Sequence, residues 1–209
     1  MFKLTQEEID GLPLAQFDKN IIIVDDEQKM SEAVEAMRGQ SVLGFDTETR
    51  PSFKRGVSYN VALLQLSTED TSWLIRLNKV PMSDGLANVL TDSNILKAGV
   101  AIRDDVKTLQ RHRMFVPGGF VDLQNMARAA GFEDFSLKKL AAHILGVRIS
   151  KRQRLSNWEA SELTMAQAHY AATDSWISLL IYLQMKDEVV EHERIIKIRK
   201  QHMSNQAEE

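Results

Sequence analysis

The sequence predicts one domain of the α/β class, and three observations support this prediction. Apolar segments rich in β-branched residues alternate with amphipathic helical patterns up to about residue 130, and the chain is helical beyond that point. The 209 residues are enough for one core and too few for two typical domains. Neither an internal repeat nor an interdomain linker interrupts the pattern.

The predicted elements follow from local sequence patterns. Apolar runs bounded by turn residues predict strands at Ile21–Val24, Ser41–Glu48, Val57–Ser67, Ser72–Leu77, Ile95–Ile102 and Phe120–Val121. Helical periodicity and capping residues predict helices at Gln6–Gly11, Glu27–Arg38, Ser83–Leu90, Asp104–His112, Leu123–Ala130 and Ser136–Leu145, and a long helix from Thr164. We divide the chain into an N-terminal extension packed on the domain (1–40), the domain itself (41–188), and a charged C-terminal helix and tail (189–209).

Composition narrows the possible functions. The chain has no cysteine, so a bound metal must have oxygen or imidazole ligands and a cysteine nucleophile is excluded. The net charge of −3 argues against a wholly basic binder of nucleic acid. No segment is apolar enough to cross a bilayer, and the start MFKLTQEEID turns acidic where a signal peptide would be apolar. We therefore expect a cytoplasmic protein with no membrane partner.

Asp46 and Glu48 form the first candidate site. They lie two residues apart at the end of a predicted strand, so both carboxylates project from one face. An acid pair at a strand end is, by itself, more often an ordinary loop feature. Here β-rich, mainly apolar residues precede Asp46, so the pair should lie at the edge of a buried sheet, where like charges need compensation. A divalent cation would supply that compensation.

Two further candidate acids lie far along the chain. Asp105 opens a predicted helix, where its ordinary role would be to favour the helix N-terminus. Asp104 is an equally good cap, so the sequence does not choose between them. Asp174 lies inside an apolar helix, where an unpaired carboxylate would be costly to desolvate. Tyr170, one turn earlier, can reach the same space as Asp174.

Five segments together resemble the DEDD exonucleases of the ribonuclease H-like superfamily, and most of all ribonuclease D and the exonuclease domain of the Werner syndrome helicase. The segments are FDTETRPSF, KAGVAIRDD, VDLQNMA, SLKKLAAHILG and RLSNWEASELTMAQAHYAATD. They cover roughly Val42 to Leu183. This resemblance implies 3′-5′ exonuclease activity and a mixed five-stranded sheet flanked by helices in three layers.

The resemblance also implies a metal centre whose ligands are catalytic residues. Asp46 would bridge two divalent ions, magnesium or manganese. Glu48 and Asp174 would complete the coordination of the first ion, and Asp105 would help to hold the second. Hard oxygen ligands suit such ions, which can activate a water and stabilise the leaving 3′ oxygen.

The segment HYAATD fits two subclasses of this family. A tyrosine subclass would use Tyr170 to orient the attacking water, whereas a histidine subclass would use His169 as the general base. If the helix is continuous from Thr164, His169 lies about 140° around it from Asp174, and Tyr170 stays on the face of the aspartate. We therefore favour Tyr170 and the tyrosine type, called DEDDy.

Basic and aromatic residues near the motifs are candidates for contact with nucleic acid. The basic ones are Arg50, Lys54 and Arg55 after the first motif, and Arg148, Lys151, Arg152 and Arg154 before the last. Each of them alone is more readily explained as solvated surface charge. Phe53 and Trp158 are candidates for stacking on a terminal base, and Trp158 fits a core position equally well.

Three functions remain open at this point. We favour hydrolysis of DNA 3′ ends, since ribonuclease D carries a further helical domain for which the short tail here leaves no room. Ribonuclease D-like processing of RNA 3′ ends is the second, because no residue can be assigned to sensing a 2′-hydroxyl. The third is a catalytically silent nucleic-acid-binding module, although none of the four acids is missing. A separate helicase or repair protein is a further expected partner, and the oligomeric state is open.

Motifs of two other enzyme classes are absent from the sequence. It contains neither GxxxxGK[ST] nor GxGxxG, which argues against a phosphate-cradling nucleotide-binding enzyme. It also lacks HExxH, which argues against a zinc hydrolase.

Overall fold

The computed structural model describes residues 4–54 and 56–206, with side chains as far as Lys186. The strands are β1 (Asn20–Val24), β2 (Val42–Thr49), β3 (Val61–Ser67), β4 (Thr71–Ile75), β5 (Leu96–Gly99) and β6 (Phe120–Asp122). The helices are α1 (Gln6–Asp10), α2 (Glu27–Arg38), α3 (Asp84–Thr91), α4 (Arg103–Leu109), α5 (Leu123–Ala129), α6 (Leu137–Leu140) and α7 (Met165–Gln206). Every predicted element is present, with shifted bounds, and a π-helical turn (Ala141–Leu145) follows α6 directly.

The six strands form one mixed sheet in the order β1-β4-β3-β2-β5-β6. Five strands point the same way, and β3 runs antiparallel to both of its neighbours. The predicted α/β class and mixed sheet are therefore confirmed, but the implied count of five strands is wrong. The sixth strand is β1, whose apolar residues pair with β4 and complete that edge of the sheet. The proposed domain boundaries stay predictions.

Helices cover both faces of the sheet, which gives the three predicted layers. On one face, α2, α3 and α4 share a core with Leu43 and Phe45 of β2. On the other face, α5, α6 and α7 pack in two further clusters. Because side chains alternate along a strand, β2 turns Gly44, Asp46 and Glu48 towards α7.

Helix α7 is a single helix of 42 residues. The Thr164 hydroxyl accepts a hydrogen bond from the Gln167 backbone N–H and so caps its first turn. The predicted C-terminal helix at 189–209 is the continuation of α7 as far as Gln206, and the last three residues of the predicted tail lie outside the described part. Within that part, no helix combines the length and the apolar character needed to cross a membrane.

Candidate active site

Close contact between α7 and β2 brings the distant acids together. A β-carbon at Gly44 would overlap the carbonyl oxygen of Ser175, so α7 lies directly on the backbone of β2. The Ser175 hydroxyl also lies 2.6 Å from the Ser67 hydroxyl on β3. These two contacts fix the turn of α7 that carries Asp174.

Asp46, Glu48 and Asp174 form a carboxylate cluster. One carboxylate oxygen from each lies within 4.8 Å of the others. Asp174 is only 6% exposed, and its Oδ1 atom has no hydrogen-bond partner among the described residues. Ionised acids this close repel one another, and a hard divalent cation would be coordinated by all three. The three carboxylates therefore fit a site for such a cation.

The fourth predicted acid, Asp105, lies beside this cluster and outside it. The Thr47 hydroxyl donates a 2.5 Å hydrogen bond to its carboxylate, which ties α4 to the end of β2. The Asp105 charge still contributes to raising the pKa values of the two β2 acids. The side chain of Asp104 is 90% exposed and pairs with a lysine on its own helix. The structure thus places Asp105 against the end of β2 and Asp104 in solvent, and the role of Asp105 as a metal ligand stays a prediction.

Tyr170 and His169 point to different surroundings. The Tyr170 ring packs beside Trp158, with ring centroids 6.0 Å apart. Burial, and then the charge of Asp174, raises the pKa of the Tyr170 hydroxyl. His169 instead places Nδ1 2.8 Å from the carbonyl oxygen of Phe17 in the N-terminal segment. Of these two residues, Tyr170 is therefore the one whose polar group lies close enough to be affected by the carboxylate charges.

Burial and mutual repulsion disfavour ionisation of the clustered acids. Burial is the main reason that the pKa of Asp46 lies well above its ordinary value, and neighbouring carboxylates add to it. Burial, followed by the charge of Asp46, raises the pKa of Glu48 to about 10. Burial raises the pKa of Asp174 to about 7. The metal-free cluster therefore retains protons near neutral pH.

We expect the metal-free protein to lose stability as the pH rises from 5 to 9. Between the ordinary carboxyl pKa of about 4 and the raised values, the folded state binds more protons than the unfolded state. Raising the pH therefore favours unfolding, and the melting temperature in EDTA should fall by roughly 5 °C. Saturating Mn²⁺ should remove most of this fall. Thermal melts across this pH range test the prediction. Asp46→Asn is the control, and its melting temperature should fall less steeply with pH. A melting temperature that rises with pH in EDTA would contradict the prediction.

Several predicted cations face a cleft of about 560 Å³ that leads to the cluster. Lys151 and Arg152 line this cleft together with Tyr170 and Asp174. The Lys151 charge lowers the pKa of Asp174, and Arg154 has the same effect on Glu48. These cations therefore create a positive potential beside the carboxylates.

The other predicted nucleic-acid contacts have different positions. Arg50 pairs with Glu159 at 3.4 Å, which joins the two loops beside the site. Lys54 is exposed, and Arg55 lies outside the described residues. Trp158 is fully buried in the core, so the alternative of a core anchor holds and the prediction of a nucleic-acid contact for Trp158 is wrong. Phe53, by contrast, is 85% exposed.

Sequence reasoning assigned no role to several residues that lie at the site. Thr47 bonds to Asp105, and Gln65 is the cross-strand neighbour of Asp46. Lys138 lies in the cleft although it is distant in sequence from the basic run. Of these residues, only Gln65 could have been noticed from the sequence, because it is an uncharged polar residue within the apolar run VALLQL.

Comparisons with known proteins show which family the chain resembles. A family model described as 3′-5′ exonuclease matches residues 21–190. The bifunctional 3′-5′ exonuclease/ATP-dependent helicase WRN of Mus musculus is 33% identical over 186 residues, which cover 84% of this chain and 13% of that protein. DNA polymerase I of Aquifex aeolicus is 26% identical over 161 residues, covering 77% of this chain and 26% of the polymerase.

A solved structure shows the same fold. RNase D of Escherichia coli superposes with a TM-score of 0.72 at 22% identity, covering 87% of this chain and 51% of that one. The chain spans about half or less of the length of the curated relatives it matches. The family match extends over most of the described chain and includes all four predicted acids. The chain therefore belongs to the 3′-5′ exonuclease family.

Proposed function

We propose that the chain is a two-metal-ion 3′-5′ exonuclease that hydrolyses phosphodiester bonds at DNA 3′ ends. The observation that carries this proposal is the convergence of Asp46, Glu48 and Asp174, from two distant parts of the chain, within 4.8 Å. A purely structural role would leave three adjacent carboxylates, one buried and two partly buried, that can be accommodated without a cation only by retaining protons. A silent binding module would have no need of them.

The proposed ligands divide between two ions, Mg²⁺ or Mn²⁺. Asp46 would contact both ions, Glu48 and Asp174 would hold one, and Asp105 would help to hold the other. When bound, the ions supply an activated water and neutralise charge on the reacting phosphate and its leaving oxygen. The hydrogen bond from Thr47 keeps the Asp105 carboxylate turned towards the end of β2.

Tyr170 would orient the attacking water. Its raised pKa keeps the hydroxyl protonated at neutral pH, so it acts as a hydrogen-bonding group and not as a base. Lys151 and Arg152 would contact phosphates of the strand that occupies the cleft. Arg154 would add positive potential beside Glu48, next to the cleft.

Tyr170→Phe is expected to reduce hydrolysis by about 10²-fold while leaving Mn²⁺ affinity unchanged. The substitution removes only the hydroxyl, and none of the metal ligands. Single-turnover hydrolysis and Mn²⁺ titration followed by electron paramagnetic resonance measure the two quantities. His169→Gln is the control and should retain wild-type turnover. Wild-type rates in Tyr170→Phe, or a large loss in His169→Gln, would reverse the choice between the subclasses.

The substrate and the setting are further parts of the proposal. DNA is supported by the identity with DNA polymerase I of Aquifex aeolicus over 77% of this chain. RNA is the alternative, since the RNase D of Escherichia coli is named as an exoribonuclease involved in structured RNA processing. The WRN relative joins an exonuclease to a helicase, which supports a helicase or repair protein as a partner of this chain. The proposed setting is the cytoplasm.

One assay tests activity, polarity and substrate together. Purified protein is incubated with 5′-labelled single-stranded, duplex and recessed DNA and with matching RNA, in Mg²⁺, Mn²⁺ or EDTA. We expect a ladder of shortened 5′-labelled products with DNA in either metal and none in EDTA. A ladder with RNA alone would support the ribonuclease alternative. Binding without any product in either metal would support the silent module.

A further inference from the structure

Gln65 lies directly beside the carboxylate cluster without belonging to it. In the antiparallel pairing of β2 with β3, Gln65 is the residue opposite Asp46. Opposite residues of such a pair project from the same face, with β-carbons about 4.5–5.5 Å apart. The Gln65 side chain therefore shares the face of Asp46, which is the face covered by α7.

Contacts on either side of Gln65 show which part of α7 covers it. Two residues further along β3, the Ser67 hydroxyl lies 2.6 Å from the Ser175 hydroxyl. Two residues earlier, Leu63 packs in a cluster with Ala171 of α7. Gln65 therefore lies beneath the turn of α7 between Ala171 and Ser175, which also carries Asp174.

The Gln65 amide is buried and has no hydrogen-bond partner in the part of the chain that the structure describes. The residue is 0% exposed, and neither Nε2 nor Oε1 makes a hydrogen bond to any described residue. Buried amides in folded proteins are almost always paired, because an unpaired donor or acceptor costs free energy. On the same face, the Oδ1 atom of Asp174 is a buried acceptor that also lacks a partner among the described residues. An unpaired donor and an unpaired anionic acceptor thus occur at one site.

We propose that Gln65 is a positioning residue of the metal centre: in the metal-loaded protein its amide N–H groups, which are unpaired among the described residues, donate to the carboxylates of Asp46 and Asp174 and hold them in the orientation that binds the ion. This inference rests on the proposed function, because it needs the cluster to hold a metal. Residues that orient metal ligands in this way contribute about 10- to 100-fold to metal affinity. Gln65 itself contacts neither the ion nor the substrate.

The test compares Gln65→Met with Leu64→Met. Methionine matches glutamine in length and removes both polar groups without adding a branch. Leu64 is the equally buried neighbour on β3, but it faces the opposite core, so Leu64→Met controls for repacking of the strand. Mn²⁺ affinity is measured by electron paramagnetic resonance of the free ion, and metal-free stability by thermal melts in EDTA. Neither measurement depends on catalysis.

The positioning role predicts a specific combination of results. In Gln65→Met, Mn²⁺ affinity falls about 10- to 100-fold while the metal-free melting temperature is unchanged or higher. In Leu64→Met, Mn²⁺ affinity equals that of the wild type. A merely structural Gln65 would leave the affinity of Gln65→Met at the wild-type value, and that result overturns the inference.

A second measurement needs no variant, in case Gln65→Met fails to fold. The side-chain amide protons of Gln65 are followed by nuclear magnetic resonance while wild-type protein is titrated with Mg²⁺. Their resonances should shift in step with metal binding and become protected from exchange, and constant resonances overturn the inference. If the wild type itself binds neither Mn²⁺ nor Mg²⁺, the proposed function fails. If it binds metal and degrades DNA while Gln65→Met binds Mn²⁺ equally well, the inference alone fails.

Discussion

Asp46→Asn is expected to abolish nuclease activity and at the same time to stabilise the metal-free protein. Asp46 neighbours both other acids of the cluster, and its replacement removes a charged ligand from the centre. Hydrolysis should therefore fall by at least about 10³-fold. The substitution also removes one of the partly buried, mutually repelling carboxylates, so the free energy of unfolding in EDTA at pH 8 should rise by about 1–2 kcal/mol. Release of labelled nucleotides and urea denaturation measure the two effects.

Asp104→Asn is the matched control for this prediction. Asp104 is exposed and lies next to Asp105 in the chain, so the substitution changes a nearby charge without touching the cluster. Its activity and stability should equal those of the wild type. An Asp46→Asn protein that keeps more than about a tenth of wild-type activity would exclude Asp46 as a ligand essential to turnover.

Gly44→Ala is expected to destabilise the fold and to damage the site from a distance. Any side chain at this position overlaps the backbone of α7 at Ser175, and a backbone carbonyl cannot rotate away as a side chain can. The free energy of unfolding should fall by about 2–3 kcal/mol. Because α7 must move off β2, Asp174 moves away from Asp46, and a displacement of about 1 Å can cost about 10²-fold in rate.

Gly39→Ala separates this effect from a general effect of replacing glycine. Gly39 ends α2 with right-handed backbone angles, and a β-carbon there would meet no atom within 4 Å. The activity of Gly39→Ala should equal that of the wild type, and its stability should be equal or slightly higher. Urea denaturation and single-turnover hydrolysis compare the two variants. If Gly44→Ala has wild-type stability, α7 does not lie on β2 as described.

The sequence was sufficient to predict the class and order of the elements because their signals are local. Apolar runs and capping residues mark each strand and helix, and all of them are found with modest shifts. The count of five strands, which the family resemblance implied, failed at β1, although the local patterns predicted a strand there. Its residues Ile21–Val24 are a clear apolar run, but their place in the sheet depends on pairing with β4, about 50 residues away.

The candidate acids were predictable to different degrees. Asp46 and Glu48 share a strand, so alternation alone places them on one face. Asp104 and Asp105 are adjacent at a helix start, and local rules treat them alike. Only the approach of α4 to the end of β2 separates them, because it brings Asp105 within hydrogen-bonding distance of Thr47.

The sequence by itself determined the fold class, the resemblance to the exonuclease family and the candidate residues. These are paired acids on a strand, an aspartate inside an apolar helix, where desolvation is unfavourable, and a tyrosine one turn before it. The tertiary structure decided which atoms meet. It placed α7 on Gly44, buried Trp158 in the core and set Gln65 opposite Asp46. Periodicity acts over a few residues, whereas these contacts join segments up to about 130 residues apart, and only packing of the whole chain brings such segments together.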